Sequence, residues 1–269
     1  MDHGLRVDGA ADVATAGRLA AALRLPFVGL RVKVARGASL QAQARAARYA
    51  ALQACAAERG AERVAVGHTL DDQAETVLAR LLRGASIEGL AAIAPLRSDG
   101  VVRPLIDCPR GEVEAYIAQC GLETARDPSN RDERYLRVRI RNRLLPALCE
   151  ENPKLAQQLA SLSDDAREAA RVLADQGARA LARTAGQAAL LREEPVTVRR
   201  WAIKQLVEQG AGGRLERAHL TALDRMLWIG GQVRVPGDRV VAVDTNGVLF
   251  VSAVTKRGRG SARRSEKAE

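Results

Sequence analysis

The stretch from His68 to Gly84, HTLDDQAETVLARLLRG, places acidic side chains at the start of a helical pattern. At about 100° per residue, Asp72 and Glu75 stand one helical step apart in the first turn. Two neighbouring carboxylates can hold an ammonium group or a metal ion. The alternative is structural, because acidic residues in a first turn complement the helix dipole and Thr69-x-x-Asp72 resembles a capping box. Spacing alone favours this structural alternative.

An apolar stripe predicts how the acidic helix is held. We expect the stripe to dock on a sheet, with both carboxylates off the stripe and Gly84 as the helix C-cap. Residues 61–68 predict the preceding strand, whose short core, Val64 to Val66, is apolar throughout, as is typical of a strand buried on both faces of a parallel sheet. His68 ends this strand, where a histidine more often has a structural than a catalytic role. The stripe comprises Ala74, Val77, Leu78, Leu81 and Leu82.

Helical and extended patterns alternate along the first half of the chain. Residues 12–25 and 39–60 predict helices, the second with Ser39 as its N-cap and Gly60 as its stop. Residues 25–34 predict an intervening strand. This alternation favours an open parallel α/β sheet, in which ligands gather at the carboxyl ends of the strands.

The second half has a different texture. Residues 154–209 predict a helical hairpin or small bundle, and 231–253 a small β-hairpin with turns at Pro236-Gly237 and Asn246-Gly247. The charged segment 256–269 is of low complexity and is predicted to be disordered. The predicted division is therefore an α/β domain at 1–150, a C-terminal helical region with a small β-hairpin at 151–255, and a basic tail at 256–269.

Composition narrows the class of partner. The 269 residues carry a formal net charge of +10 and a pI near 10.2, which favours a polyanion such as nucleic acid. A genomic bias toward Ala and Arg is the open alternative. Aromatic residues make up 3%, so recognition by rows of stacking rings is not expected. The cysteines lack metal-ligand spacing and no membrane span or signal pattern is seen, so we predict a cytoplasmic protein without a metal site.

Five strings occur together in an order that resembles one known family. "GHTLDDQAETVLARLLRG" (67–84) resembles the second signature of the tRNA(Ile)-lysidine synthetase family, a branch of the N-type ATP pyrophosphatases, or PP-loop proteins. "MDHGLR" (1–6), "ARAARYAAL" (44–52), "RPLID" (103–107) and "DPSNRDERYLRVRIRNRLLPAL" (127–148) resemble further segments of it. The resemblance implies a Rossmann-like fold of the adenine nucleotide alpha hydrolase type, N-terminally incomplete here, followed by a helical region and a small β element. It makes 1–150 the catalytic domain and implies tRNA recognition by 151–255, for which a purely scaffolding role is an equal alternative.

The resemblance also implies a reaction. Members of this family use ATP, with its bound Mg2+, to adenylate the wobble cytidine of tRNA(Ile) bearing a CAU anticodon. The side-chain amine of free lysine then displaces AMP, so that lysidine, AMP and pyrophosphate are the products. By similarity, Asp72 and Glu75 would hold lysine, and His68 would contact the nucleotide. A homodimer is compatible with the sequence, which does not determine the oligomeric state.

Four arginines take their expected roles from the same resemblance. Arg48 would face the ATP phosphates or the charge that develops at the reacting centre. Arg139 and Arg141 would act in catalysis, and Arg137 would join them in contacting tRNA phosphate. The i, i+2, i+4 spacing cannot place all three on one helix face, so one of them is expected to serve structure. Val138, Asn142 and Arg143 replace residues usual in the family and weaken the individual assignments.

The family's Ser-Gly-Gly-x-Asp-Ser loop, which wraps pyrophosphate through backbone N–H groups, does not occur in these 269 residues. We expect Met1 to stand at a family Val position and the chain to be an N-terminally shortened gene product or gene model, with impaired ATP binding. Two alternatives stay open. One is a tRNA-thiolating PP-loop enzyme, which would usually carry Cys-x-x-Cys pairs, and the other is a non-catalytic tRNA-binding remnant.

Overall fold

Two short parallel strands organise the region around the acidic helix. Strand β1 (Val64–Ala65) pairs with β2 (Val101–Val102), with Val64 opposite Val101. Helices α3 (Leu70–Leu81) and α4 (Ile87–Leu90) lie in the connection between them. The computed structural model describes residues 9–32, 40–124, 132–211 and 215–254. Within these ranges, the predicted parallel α/β sheet is confirmed in its β1–β2 pair.

The chain forms two compact units, residues 1–167 and 168–269. The predicted division at 150/151 lies before this point. That division was predicted from a change in the sequence pattern, which coincides with the start of a long helix. The helix continues past residue 167 without a break. In the first unit the remaining elements are α1 (Gly9–Ala22), α2 (Leu40–Glu58), α5 (Arg110–Gln119), α6 (Leu136–Arg139), a π-helical turn (Ile140–Leu144) and α7 (Leu145–Glu151).

Helix α2 covers the parallel sheet. Tyr49 of α2 is buried with Val64 and Val101, and Leu52 and Ala56 pack around them. Gly60 has a φ of +66° and follows the helix, as predicted for its stop. The predicted cap Ser39 lies outside the described residues.

The strand predicted at 25–34 is wrong over its described part. Among residues 25–32, only Arg31 has a β-bridge partner. The segment packs on α1 instead. The Phe27 ring lies 3.2 Å from the position that a Cβ would occupy if it were added to Gly17. An apolar extended run becomes a strand only where a neighbouring backbone supplies hydrogen bonds, and the pattern does not reveal that neighbour. Residues 33 and 34 lie outside the described ranges.

The apolar stripe of α3 docks on helices and not on the sheet, which corrects the prediction. Ala74 and Val77 are fully buried with Ile140, Leu145 and Leu159, so the basic segment that follows residue 135 is held directly against α3. Leu81 and Leu82 at the end of the stripe are exposed. Helical periodicity indicates that a face is buried, but it does not say which element covers that face.

The second unit combines helices with a three-stranded antiparallel sheet. The strands follow the order β3-β4-β5, with turns at the two predicted places, and Gly237 and Gly247 adopt positive φ values there. The predicted β element is thus confirmed, as three strands. Buried residues of α9, α10, α11 and the sheet form its core. The elements after α7 are α8 (Leu155–Thr184), α9 (Ala188–Glu193), α10 (Val196–Ala211), α11 (Arg217–Ile229), β3 (Gln232–Val235), β4 (Arg239–Val243) and β5 (Leu249–Ala253).

The cysteines Cys55, Cys108, Cys120 and Cys149 are unpaired. In the part of the chain that the structure describes, no helix is both long enough and apolar enough for a bilayer crossing. The predicted tail 256–269 lies outside that part.

Candidate functional site

Asp72 serves first as a cap for α3. Its Oδ2 accepts the backbone N–H of Thr69 at 2.9 Å and the Thr69 hydroxyl at 3.1 Å. These bonds satisfy donors at the start of the helix, as the capping-box prediction requires. They leave the second oxygen, Oδ1, available to other groups.

Glu75 is a buried carboxylate held by two arginines. Its side chain is 1% exposed. Arg137 donates from Nε to Oε2 at 2.9 Å, and Arg141 donates from Nε to Oε1 at 2.6 Å and from Nη2 to Oε2 at 2.9 Å. Burial of a carboxylate is tolerated only with such partners. Glu75 lies beside Asp72, as the helical spacing predicts, but the spacing does not predict that Glu75 is buried.

The same arginines reach Asp72. Its Oδ1 lies 2.8 Å from Nη2 of Arg137 and 3.3 Å from Nη2 of both Arg141 and Arg110. Arg110 also lies 3.6 Å from Glu75. Two carboxylates are therefore shared by three guanidinium groups. We call these five residues, Asp72, Glu75, Arg110, Arg137 and Arg141, the acid–arginine cluster.

Charge and burial oppose each other at Asp72. Burial disfavours its ionised form, but the Thr69 N–H and the guanidiniums of Arg137 and Arg110 outweigh that effect and hold its pKa below the usual value. The hydrogen bond to Glu75 is the largest influence on Arg141, and it raises the pKa of that guanidinium. Asp72 and Arg141 are therefore both charged at neutral pH.

Local helix geometry separates the three arginines predicted from the sequence. Arg137 in α6 and Arg141 in the π-helical turn both face the carboxylates. Arg139 instead donates to the backbone carbonyls of Glu133 and Arg134 at 2.7 and 2.9 Å. The three arginines do not share one face, as predicted, and the structure does not bring Arg139 into the cluster.

Arg110 was missed by the sequence analysis. It begins α5, and its backbone N–H donates to Oδ2 of Asp71 at 2.6 Å, which ties the start of α5 to α3. Its position after Pro109 marks a helix start but carries no indication of a distant partner. Only the fold brings the first turns of α3 and α5 together.

An open cleft of about 350 Å³ borders the cluster. Leu52 and Val66 give it apolar walls, whereas Arg48 and Asp72 bring opposite charges to it, and Gly67 and His68 complete its lining. Asp72 therefore belongs both to the cleft and to the acid–arginine cluster. Among the described residues, no group of three or more His, Cys, Asp or Glu side chains could hold a metal ion.

His68 is held in its neutral form. Burial is the largest influence and lowers its pKa to about 4; Arg103, Arg45 and Arg137 act in the same direction, and Asp72 opposes them. Its Nδ1 accepts a hydrogen bond from Nε of Arg103 at 3.3 Å. At neutral pH, His68 therefore brings a polar but uncharged ring to the cleft.

Two arginines of α2 and a third arginine from outside that helix surround the Tyr49 ring and form a cationic wall. The guanidinium carbons of Arg45, Arg48 and Arg97 lie 5.0, 5.5 and 4.9 Å from the centroid of the Tyr49 ring. Arg97 pairs with Asp99, but Arg48 has no carboxylate partner among the described residues. Arg45 is crowded by burial and by neighbouring arginines, which lower its pKa. Such a wall attracts anions such as phosphate.

Comparisons with known proteins point to one family. A family model described as a PP-loop domain matches residues 1–148. A tRNA(Ile)-lysidine synthase of Leifsonia xyli is 37% identical over 263 residues, which cover 93% of this chain and 78% of that protein. One of Ralstonia nicotianae is 36% identical over 275 residues, covering 97% of this chain and 59% of that protein.

A further tRNA(Ile)-lysidine synthase, from Solibacter usitatus, is 42% identical over 169 residues, which cover 62% of this chain and 38% of that protein. The chain thus spans 38% and 59% of the lengths of the Solibacter and Ralstonia relatives. Among solved structures, the U34-tRNA thiolase NcsA from Methanococcus maripaludis with its 4Fe-4S cluster matches with a TM-score of 0.53 and 16% identity, covering 62% of this chain and 60% of that chain. This last likeness shows the fold alone.

Proposed function

The chain belongs to the tRNA(Ile)-lysidine synthetase family of PP-loop proteins, and on that premise we propose that it acts in the ATP-dependent ligation of lysine to the wobble cytidine of tRNA(Ile). The C2 oxygen of the cytidine attacks the α-phosphorus of ATP and releases pyrophosphate. The lysine amine then forms the new C–N bond at C2, loses a proton, and AMP leaves with the bonding electron pair. The product is lysidine.

The observation that carries this proposal is the pair of carboxylates at the edge of the cleft. Asp72 is ionised at neutral pH and lines the cleft, and Glu75 lies behind it, fully buried. A desolvated anionic pair suits the ammonium group of lysine better than it suits a phosphate. The site is nevertheless embedded in a basic protein whose formal net charge is +10, as a tRNA partner requires.

The acid–arginine cluster suggests how lysine gains access to the pair. Three guanidiniums already share the carboxylates, so an ammonium must displace one of them. Arg137 is the best candidate, because its side chain is 44% exposed against 27% for Arg110 and 26% for Arg141. Arg141 is also held by two hydrogen bonds to Glu75. We therefore assign Arg137 as the group that lysine replaces.

The cleft supports a nucleotide ligand. Leu52 and Val66 can pack against a base, and Arg48 offers a guanidinium without a protein counter-ion among the described residues. Mg2+ would enter bound to the ATP phosphates, where it would neutralise charge on them. In this proposal Arg48 contacts phosphate and His68 contacts the nucleotide, whereas Arg141 remains bound to the carboxylates when lysine displaces Arg137.

The anticodon of tRNA(Ile), CAU, supplies the reacting cytidine in this proposal. The exposed arginines of the chain offer contacts to its phosphates, and Arg139 is available for such a role only through the part of its guanidinium not bonded to Glu133 and Arg134. The thiolation alternative has less support, because the four cysteines are unpaired and no Cys-x-x-Cys string occurs.

The test is transfer of isotopically labelled lysine to unmodified tRNA(Ile) in the presence of ATP and Mg2+, with digestion to nucleosides and mass spectrometry. Lysidine is expected, and even a slow reaction is detectable in this way. It should require ATP, a wobble cytidine, and both Asp72 and Glu75.

The non-catalytic alternative predicts another outcome. In that case tRNA binds in a salt-dependent way, the Asp72→Asn and Glu75→Gln variants bind it equally well, and no labelled nucleoside forms. That combination of results would overturn the proposed ligase function.

A further inference from the structure

Arg103 is a buried cation beside the cleft. It is 4% exposed, and its Nη1 donates to the backbone carbonyl of Ala94. No carboxylate of the described residues forms an ion pair with it. Its Nε donates instead to Nδ1 of His68 at 3.3 Å. Burial of a guanidinium without a carboxylate partner is costly, so its N–H groups need other acceptors. The imidazole of His68 is one of them.

The topology places these two residues together. His68 follows β1 and Arg103 follows β2, and the two strands are parallel neighbours. Their pairing continues past the strand ends, because Val66 N–H donates to the carbonyl of Val102 at 3.0 Å. The carboxyl ends of adjacent parallel strands share one edge of a sheet, where α/β folds bind their ligands.

The hydrogen bond fixes the state of the imidazole. A guanidinium N–H can only donate, so Nδ1 of His68 must present a lone pair and the ring proton must reside on Nε2. We propose that Arg103 is a positioning residue that holds His68 as the neutral Nε2–H tautomer, so that the ring donates this proton to an acceptor atom of the nucleotide in the cleft. The identity of the ligand rests on the proposed function, but the tautomer does not.

The surroundings favour the same arrangement. Arg45 on α2, Arg103 beyond β2 and Arg137 on α6 all disfavour a second proton on His68, and Asp72 on α3 alone favours it. A neutral donor adds a hydrogen bond without adding another cation to a site that already holds several. The acceptor it suits is a phosphate oxygen or a ring nitrogen of an adenine nucleotide.

The first test is a nitrogen-15 NMR titration of the full chain, with His68 assigned from the His68→Gln variant. At pH 7 the protein should show the Nε2–H tautomer for His68, with a pKa of about 4. In Arg103→Met the pKa should rise and both tautomers should appear, whereas Arg103→Lys should keep the pKa low. A proton on Nδ1 in the unmodified protein, or a pKa near 6.5, would overturn the proposal without the use of any Arg103 variant.

The second test measures the affinity for Mg-ATP and for AMP. The amide nitrogen of glutamine can take the place of Nε2, whereas that of asparagine takes the place of Nδ1. His68→Asn is therefore expected to lose about tenfold in affinity and His68→Gln distinctly less. Comparison of the two ligands distinguishes a phosphate acceptor, whose contribution grows with the triphosphate, from a base acceptor, whose contribution is equal in both.

A double-mutant cycle separates positioning from scaffolding. Arg103→Met should weaken Mg-ATP binding by about tenfold in the parent chain and much less in the His68→Asn background. Equal losses in both backgrounds would contradict the proposal and leave Arg103 a structural residue. Failure of the parent chain to bind either nucleotide would count against the proposed function, and the NMR result would still decide the tautomer.

Discussion

Arg137 and Glu75, 62 residues apart in sequence, are joined by a hydrogen bond of 2.9 Å between Nε and Oε2. The same guanidinium reaches Oδ1 of Asp72 at 2.8 Å. A single cationic side chain thus bridges both carboxylates proposed to hold lysine. The protein's own arginine stands where the substrate ammonium is proposed to bind.

Removal of this arginine should improve lysine binding. In Arg137→Met the ammonium no longer competes with a guanidinium, so affinity for lysine is expected to rise about threefold to tenfold, as judged by isothermal titration calorimetry. The matched control is Arg139→Met, two residues after Arg137. Its guanidinium bonds to backbone carbonyls, so this substitution should leave the affinity unchanged. Unchanged or weaker binding by Arg137→Met would refute the exchange.

Loss of the Glu75 charge should destabilise the fold. Glu75→Gln leaves Arg137 and Arg141 facing a neutral amide in a buried site, so the free energy of unfolding should fall by about 2–3 kcal/mol. Urea denaturation measures this change. The exposed Glu114, in α5, provides the matched control, since Glu114→Gln should change stability by less than about 0.5 kcal/mol. Equal effects of the two substitutions would contradict the role given to Glu75.

Acid should destabilise the protein through His68. Its pKa is about 4 in the folded chain against 6.5 for the free side chain, so the unfolded chain binds the additional proton first. The free energy of unfolding therefore falls as the pH drops from 6.5 to about 4. The pKa of Asp72 is lowered, so the stability it contributes is lost at still lower pH, as that carboxylate becomes protonated.

Urea denaturation at a series of pH values checks this dependence. His68→Gln cannot take up the proton, so its stability should decline less between pH 6.5 and 4. The same slope for His68→Gln and the parent chain would show that His68 is not protected from protonation.

Substitution by alanine should change stability in opposite directions at two helical glycines. A Cβ on Gly177 would lie 2.7 Å from Cβ of Trp201 and 2.9 Å from its carbonyl carbon, whereas a Cβ on Gly111 would meet nothing within 4 Å. Gly177→Ala should therefore destabilise the second unit, by about 1–3 kcal/mol, and Gly111→Ala should stabilise its helix by about 0.5–1 kcal/mol. Thermal or urea denaturation distinguishes them, and stabilisation by Gly177→Ala would contradict the close packing of Gly177 against α10.

The acidic first turn of α3 could be predicted from the sequence because caps and helix periodicity are local properties. The positions of Asp72 and Glu75 on neighbouring steps, the positive φ after α2 and the turns of the β element follow from such local rules. The basic segment with Arg137, Arg139 and Arg141 could likewise be predicted. Its spacing also shows that the three arginines cannot share one helix face.

What could not be predicted depends on contacts between distant segments. Burial of Glu75, the approach of Arg110 and the hydrogen bond from Arg103 to His68 all join residues that no short motif connects. The apolar stripe of α3 could be predicted, but the prediction that it packs on the sheet was wrong. Amphipathicity shows that a helix face is buried and does not identify the element that covers it. The run at 25–34 had strand character, but over its described part only Arg31 has a β-bridge partner.

The central claim, that Asp72 and Glu75 hold an ammonium group of lysine, is tested most directly by calorimetric titration of L-lysine into the full chain and its Asp72→Asn variant, with Glu114→Gln as the control. The proposal predicts measurable binding to the parent chain and the control, and at least about a tenfold weaker affinity in Asp72→Asn, as expected for the loss of a partly buried charge pair. Equal lysine affinity in Asp72→Asn and the parent chain would contradict it.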